Sequence, residues 1–228
     1  MDIIKRIPKI KDWLREDMVD TYIQYINEQM LYKEDYISNL IQEIKRNPEG
    51  CVMEYSSGVS GLLYQSMYPE YEGNVTYAEH NPIILKRVKD HLCNQNTSIS
   101  WKPVLCNENL DQIEDNTYSL IYSFDSLHDC DDIKNRIRQL INKLKPNGQA
   151  WIYDLRRDAE KAMLEQVMIG YKNLEQMSDW YLKNFLLSWR ASYTIEEVES
   201  VLIEIPYINF RVEKENAMTL SIQIIKEG

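Results

Sequence analysis

The sequence predicts an α/β fold in which a seven-stranded, mostly parallel sheet carries helices on both faces. Two observations support this prediction. From residue 51 to residue 154 short β-rich runs alternate with longer amphipathic stretches, and the chain ends in two strand-like runs separated by a few polar residues. The alternation is typical of βαβ units, and the closely spaced final runs favour an antiparallel hairpin. The 228 residues suffice for one domain with a large core.

The N-terminal part predicts amphipathic helices. Over residues 9–46 apolar side chains recur near the helical period, and Pro48 and Gly50 end the pattern. We expect residues 1–47 to form a helical extension and residues 48–228 a single compact unit. The extension would either close over a binding site as a lid, with Tyr22 and Tyr25 facing a substrate, or pack its helices on the sheet.

The middle of the chain supplies five predicted strands and the helices between them. The strands are 51–55, 74–78, 98–105, 118–123 and 149–154, and the helices are 60–67, 82–92 and 131–144. Local signals agree with this reading, since Asn81 can cap the helix that Pro82 begins. Residues 145–148 predict a turn into the fifth strand.

The last third predicts helices followed by a hairpin. Residues 158–188 have a helical pattern, and Thr194 with Glu197 has the spacing of a capping box. Residues 205–212 and 218–225 predict the two strands of the antiparallel hairpin.

Composition and charge exclude several classes of protein. The chain has 26 basic and 36 acidic residues, so its net charge of −10 makes nucleic acid a poor partner. An apolar run of membrane-spanning length and a signal-like start are both lacking, which predicts a cytoplasmic protein without a membrane partner. The four cysteines lack disulfide or metal-ligand spacing, so we expect no metal.

Two motifs predict a nucleoside-binding crevice. The turn after the first strand, residues 56–61, is rich in small residues, which let backbone approach a ligand closely. The second strand ends at Glu79, where a carboxylate can accept hydrogen bonds from both hydroxyls of a ribose. Tight packing would explain the turn alone and an exposed strand end would explain Glu79 alone, but their joint occurrence is a stronger signal.

With three further segments these motifs resemble the class I S-adenosylmethionine-dependent methyltransferases, especially the small-molecule type. The further segments are residues 113–121, 123–128 and 144–150, the last similar to the family's Leu-Lys-Pro-Gly-Gly turn. The resemblance covers residues 49–158 and returns in 191–226. The sequence departs from the family pattern where Ser56 and Ser60 replace glycines and where Ser119 replaces an Asp.

The resemblance implies a Rossmann-like fold and S-adenosylmethionine as the cofactor. It places the cofactor against eight residues: Glu54, Ser56, Gly58, Glu79, His80, Asn107, Ser123 and Phe124. Cys106 is the alternative to its neighbour Asn107. His128 is the first candidate for a general base and Asp125 the second, because both follow the fourth strand. Asp154, at the end of the fifth strand, is a candidate substrate contact. The alternative for His128 is a structural histidine bonded to backbone.

These observations predict an enzyme that transfers a methyl group by direct displacement to oxygen or nitrogen of a small metabolite or peptide end. One alternative is a non-catalytic binding protein that keeps the fold, favoured by the serine-substituted loop. Another is a nicotinamide-dependent oxidoreductase, which the C-terminal hairpin disfavours. The expected partner is the small-molecule or peptide substrate, and a homodimer stays open.

Overall fold

The protein is described from a computed structural model that covers residues 4–9, 16–20, 22, 34–46, 50–56, 73–93, 100–172 and 179–228. The predicted helix at 60–67, together with Tyr25, Gly58 and Ser60, lies outside these described residues.

A single seven-stranded sheet organises the chain, in the order β3-β2-β1-β4-β5-β7-β6. The strands are β1 Cys51–Tyr55, β2 Asn74–Glu79, β3 Ser100–Leu105, β4 Tyr118–Phe124, β5 Leu144–Leu155, β6 Ile208–Lys214 and β7 Thr219–Lys226. Strands β1 to β5 pair in parallel, and β7 pairs antiparallel with both β5 and β6. The predicted Rossmann-like sheet and its C-terminal hairpin are confirmed. The strand order reverses between β1 and β4, and a ligand crevice opens at such a point in sheets of this kind.

Six α-helices are described around this sheet: α1 Glu34–Arg46, α2 Pro82–Cys93, α3 Ile133–Lys143, α4 Lys161–Lys172, α5 Asp179–Ala191 and α6 Ile195–Ile203. The predicted capping box begins α6, with the Thr194 hydroxyl accepting from the Glu197 backbone and the Glu197 carboxylate accepting from the Thr194 backbone. None of the helices described is long and apolar enough to cross a membrane.

Of the boundaries that differ from the sequence-based expectations, three change the description of an element. Residues 145–148, predicted as a turn before the fifth strand, are part of β5. They form an irregularity within it, where Asn147 takes a left-handed conformation (φ 63°) and the pairing with β4 shifts register. Helix α4 begins at Lys161 rather than 158. Residues 4–9 are not helical, contrary to the helix expected from residue 9, and the next described residues, 16–20 and 22, are helical.

Both faces of the central sheet are covered. One face packs Met53, Ile121 and Ile152 against α3 and α6, and the other packs Val52 and Leu120 against the apolar side of α1. This double burial is why the central strands are nearly continuous apolar runs. Helix α1 therefore packs on the sheet, and a lid role stays a prediction for the residues before it.

Gly148 is expected to tolerate no side chain. A Cβ there would lie 2.8 Å from the Tyr118 carbonyl oxygen and 2.9 Å from the Lys145 carbonyl oxygen. We expect Gly148→Ala to lower the free energy of unfolding by about 1–3 kcal/mol, measured by urea denaturation, because two strands must move apart.

Gly170 is the matched control, since a Cβ at this position in α4 meets nothing within 4 Å. Gly170→Ala should raise the free energy of unfolding by about 0.5–1 kcal/mol through helix propensity. Equal effects of the two substitutions would contradict the close approach of strands at Gly148.

Candidate functional site

A cavity of about 520 Å³ opens beyond the carboxyl ends of β1, β2 and β4. Its wall includes Ser56 after β1, His80 after β2 and Asp125 after β4, with Glu79 among them. The volume lies in the range of small-molecule sites. The crevice predicted from the strand-end motifs is therefore present, and it lies where the strand order reverses.

The turns leaving β1 and β4 both pass through a left-handed residue. Ser56 has φ 48° and Asp125 has φ 51°, a conformation that costs a residue with a Cβ about 1–2 kcal/mol. Backbone hydrogen bonds hold both turns: the Ser56 N–H donates to the Ala78 carbonyl and the Asp125 N–H to the Tyr153 carbonyl, each at 2.8 Å. Ser56, which stands where the resemblance places a glycine, therefore adopts the left-handed conformation despite its Cβ.

Glu79 places a buried carboxyl group in the cavity wall, 3% exposed. Its Oε1 accepts the backbone N–H groups of His80 (2.7 Å) and Asn81 (2.8 Å), and its Oε2 accepts the Tyr77 hydroxyl (3.3 Å). Burial raises the pKa of Glu79 to about 7, although these hydrogen bonds oppose the shift. A carboxylate offers about four acceptor positions, so Glu79 retains the capacity to accept from a ligand hydroxyl.

His80 stands beside Glu79 on the same wall. Its Nε2 lies 2.8 Å from the Tyr55 hydroxyl, and the two rings meet edge to face with their centroids 5.5 Å apart. Tyr55 also lines the cavity. The pair gives this end of the cavity an aromatic surface of fixed orientation.

The segment after β3 reaches the cavity one residue later than predicted. Asn107 turns its side chain to the local backbone, where it accepts from the Asn109 and Asp111 N–H groups at 3.1 Å each. Among the described residues, the cavity is lined here by Glu108 and Asn109 rather than Asn107. An Asn that opens a turn commonly bonds its own backbone in this way, and that signal was available in the sequence.

Three other predicted cofactor contacts lie behind the described wall. Glu54 is fully buried and accepts the Tyr122 hydroxyl at 2.9 Å. The Ser123 hydroxyl donates to the Tyr55 carbonyl at 2.7 Å. Phe124 packs edge-on against Tyr36, with ring centroids 5.7 Å apart, on the opposite side of the sheet core. In the part of the chain that the structure describes, these residues support the cavity rather than line it.

The candidate base His128 is paired with the candidate substrate contact Asp154. Both are almost fully buried; the His128 Nδ1 lies 2.7 Å from Asp154 Oδ1, and the His128 backbone N–H donates to Oδ2 at 3.0 Å. Burial alone would lower the pKa of His128, but the carboxylates of Asp154 and Asp129 outweigh it and hold the pKa above its ordinary value. His128 does not line the described cavity, and its ring is held by the Asp154 carboxylate rather than by backbone, so the structure places it as a support of the loop after β4.

Asp129 faces the cavity in front of this pair. Burial opposes its ionisation, yet Lys9, 3.2 Å away, and His128 hold the pKa of Asp129 below its usual range. No local signal in the sequence indicates this pair, because the contact joins residues 120 positions apart in the chain.

Residues 4–9 hold the loop that carries Asp129. The Arg6 side chain donates to the Cys130 carbonyl (2.7 Å) and to the Ala191 carbonyl (2.6 Å), and its guanidinium lies 4.3 Å from the centre of the Tyr193 ring. The N-terminal segment therefore ties the cavity loop to the end of α5. Tyr22, which was predicted to face a substrate, also lines the cavity.

The cavity wall carries more acid than base. Its described cations are Lys9 and Arg136, and its described acids are Glu79, Glu108, Asp125, Asp129, Asp131 and Asp132. Such a concentration of carboxylates attracts positively charged ligands. Among the described residues no group of histidine, cysteine and acidic side chains is arranged to hold a metal ion.

Residues 54–152 match the family model described as a methyltransferase domain. No curated protein matches the sequence.

Solved structures share the fold at low sequence identity. The plantazolicin methyltransferase BamL, in complex with a triazolic desmethylPZN analogue and SAH, has a TM-score of 0.65 at 15% identity, over 93% of this chain and 91% of that one. A SAM-dependent methyltransferase from Aquifex aeolicus has a TM-score of 0.57 at 14% identity, over 83% and 89%. Phosphoethanolamine N-methyltransferase 2 from Haemonchus contortus, in complex with S-adenosyl-L-methionine, has a TM-score of 0.58 at 11% identity, over 79% of this chain and 49% of that one.

The charge of His128 is expected to depend on Asp154. We expect Asp154→Asn to bring the His128 pKa below the ordinary value of about 6.5, because burial then dominates. Nitrogen-15 NMR titration of the imidazole would measure this shift, with His128→Gln to assign the resonance among the three histidines. Removing one partner of a buried pair should also cost about 3–5 kcal/mol of stability.

The pH dependence of stability gives a second readout. Because the pKa of His128 is raised in the folded protein, protonation of His128 stabilises the fold fully below the pKa of the unfolded state. This stabilisation is lost as pH rises through the pKa of the folded state. Asp154→Asn should abolish that loss, whereas Asp131→Asn, which changes an exposed neighbour, should keep it. An unchanged His128 pKa in Asp154→Asn would show that the pair does not determine the charge of His128.

Proposed function

We propose that this chain is a class I S-adenosylmethionine-dependent methyltransferase that transfers a methyl group to a small metabolite or peptide end, with an amine nitrogen as the acceptor that its acidic cavity favours; the match of residues 54–152 to a methyltransferase-domain model and the shared fold support this. Oxygen is the alternative acceptor atom. The observation that carries the choice of nitrogen is the excess of carboxylates over cations around the cavity.

The described residues of the cavity suit S-adenosylmethionine. When bound, this cofactor supplies a methyl group on a positively charged sulfur, which an acceptor lone pair takes by in-line displacement. Glu79 would accept from the ribose hydroxyls, since its carboxyl lies in the cavity wall with acceptor capacity to spare. His80 would flank the base, and the left-handed turn at Ser56 would bring backbone close to the amino-acid end.

Charge complementarity supports an amine acceptor. Asp125 and Asp129 follow β4 and face the cavity, where each can hold an ammonium group by charge-assisted hydrogen bonds. An amine needs only a route to lose its proton, whereas a hydroxyl acceptor benefits from a general base. His128 does not line the described cavity, so it is poorly placed for that second role. The Haemonchus N-methyltransferase offers a precedent of the same fold.

Calorimetric titration with S-adenosylmethionine and S-adenosylhomocysteine, with NAD as the control ligand, tests the cofactor. A screen of small amines, peptides and matched alcohols, read by mass spectrometry for added methyl groups, then tests the acceptor. Methylation of amines supports the proposal, and methylation of alcohols alone overturns the choice of nitrogen. Tight cofactor binding without turnover on any acceptor would favour the non-catalytic alternative.

Affinity for S-adenosylhomocysteine is expected to rise with pH. Ribose hydroxyls donate best to an ionised carboxylate, and the pKa of Glu79 is raised to about 7 by burial. The dissociation constant should therefore fall by up to about tenfold per pH unit below 7 and level off above about 8. Titration calorimetry from pH 5.5 to 8.5 would measure this slope.

Two comparisons isolate Glu79 in that experiment. Glu79→Gln should bind more weakly and lose the part of the slope that the carboxyl contributes. The folding stability of the ligand-free protein depends on pH with the opposite sign. The raised pKa of the Glu79 carboxyl stabilises the folded protein at low pH, and this stabilisation is lost as pH rises through about 7. A slope that persists unchanged in Glu79→Gln would contradict the role of Glu79.

Asp125→Asn is expected to impair amine methylation selectively. Asparagine tolerates the left-handed backbone of Asp125, so the substitution removes charge and keeps the turn. We expect kcat/KM for cationic acceptors to fall about tenfold, in keeping with one lost hydrogen bond to a charged group, while affinity for S-adenosylhomocysteine changes less than about twofold.

The matched control is Asp90→Asn, which removes the same charge from an exposed position on α2. It should leave kcat/KM within about twofold. Equal losses on cationic and neutral acceptors in Asp125→Asn would show that Asp125 does not select for charge.

A further inference from the structure

Strand β6 forms one edge of the sheet, and its backbone is suited to pairing with another strand. Among the described residues β6 pairs only with β7, and residues 209–211 in its middle are exposed. The edge of a sheet presents N–H and C=O groups that can pair with another chain, and natural edges are commonly protected by a proline, a bulge or a covering segment. β6 contains no proline, and its register with β7 has no bulge.

The hydrogen bonds to β7 decide which residues of β6 face outward. The Glu227 N–H donates to the Tyr207 carbonyl at 2.9 Å, and the Glu215 N–H donates to the Thr219 carbonyl at 3.1 Å. The register between these two pairs is continuous, and bonded and non-bonded pairs alternate along an antiparallel ladder. The odd-numbered residues of β6 therefore bond to β7, and the even-numbered residues direct their N–H and C=O groups away from the sheet.

Exposed apolar side chains surround this edge. Ile203, Tyr207, Phe210 and Ile225 are four of the eight large apolar side chains that are exposed among the described residues. They come from the end of α6, the approach to β6, β6 itself and the paired strand β7. Concentrations of exposed apolar side chains mark interaction surfaces. No residue of β6 lines the described cavity, so a partner at this edge would leave the cavity open.

Two opposite charges on β6 identify a second copy of this chain as the partner. Arg211 donates to Glu213 within the strand, and the two side chains stay 66% and 43% exposed. If β6 paired antiparallel with its own copy about Arg211 or about Glu213, like charges would lie opposite each other, which is destabilising. An axis at Val212 instead sets Arg211 of each copy opposite Glu213 of the other. We propose that β6 joins two copies of this chain into a twofold-symmetric dimer about Val212.

This register also satisfies the backbone. Val212 then faces Val212 of the second copy and Phe210 faces Lys214, so the outward N–H and C=O groups of the even-numbered residues pair with each other. The pairs of Arg211 with Glu213 fall on the non-bonded positions, where Cα atoms are about 4.5 Å apart and side chains lie closest. The apolar stem of Lys214 can cover the Phe210 ring of the other copy. The two sheets join into one continuous sheet across the axis.

Sedimentation velocity over a range of micromolar concentrations tests this inference, and the wild type should sediment as a dimer. Arg211→Glu and Glu213→Arg should each raise the dimer dissociation constant by at least about tenfold, because each sets like charges opposite each other. The double substitution restores opposite charges and should return the constant to within about threefold of the wild type. The matched control is Lys89→Glu, which makes the same change of charge as Arg211→Glu on the exposed side of α2 and should leave the constant unchanged.

A backbone variant separates strand pairing from charge. The Phe210 N–H points away from β7, so Phe210→Pro removes a donor of the dimer and no hydrogen bond within the sheet. This variant should be monomeric and keep a cooperative thermal melt. If a single charge reversal prevents folding, the double substitution and Phe210→Pro decide.

Three outcomes would overturn the inference, and none of them depends on methyltransferase activity. The first is a wild type that is monomeric throughout, and the second is a dimer that survives Phe210→Pro. The third is a monomeric Phe210→Pro together with charge reversals that have no effect. That result would overturn the axis at Val212 and favour one at Phe210, where Arg211 lies opposite Asn209.

Discussion

The central strands are buried on both faces, and the rest of the structure depends on this constraint. Strands β1, β2 and β4 lie between helices, so a polar side chain within them must find a partner inside the protein. Glu54 meets this requirement through the Tyr122 hydroxyl, and Tyr118 through the Thr76 hydroxyl at 3.0 Å. Polar groups free to meet a ligand are therefore concentrated where the strands end, and the reversal of strand order at β1 and β4 opens the space for one.

The cavity combines rigid backbone with unevenly distributed charge. Ser56 and Asp125 adopt a strained left-handed conformation that backbone hydrogen bonds hold in place. Strain of this kind persists only where the surrounding structure over-determines it, and it is frequent at functional sites. Carboxylates face the cavity from several of these strand ends, whereas the described cations come from Arg136 in α3 and Lys9 near the N-terminus. A positively charged cofactor and a protonated acceptor both suit such a wall.

The loop after β4 is positioned by contacts from three distant parts of the chain. Asp154 at the end of β5 fixes His128, Lys9 pairs with Asp129, and Arg6 donates to the carbonyl of Cys130. The Arg157 guanidinium adds a link between residues 4–9 and the start of α6 by donating to the Ile4 carbonyl and the Glu197 carboxylate. Residues 4–9 thus act as part of the site, although they precede the sheet by more than forty residues.

The sequence by itself determined the order and type of the elements and the residues at the strand ends. Apolar periodicity, the Asn81-Pro82 helix start and the Thr194 capping box are local signals, and Glu79, His80 and Asp125 follow from where each strand stops. Only the tertiary structure decided which side chains pair. His128 meets a carboxylate 26 residues away, Arg136 reaches Tyr55, and Lys9 reaches Asp129, and no local pattern records these contacts. The physical reason is that a side chain's partner, and hence its charge and exposure, is set by packing between elements, which a one-dimensional pattern does not contain.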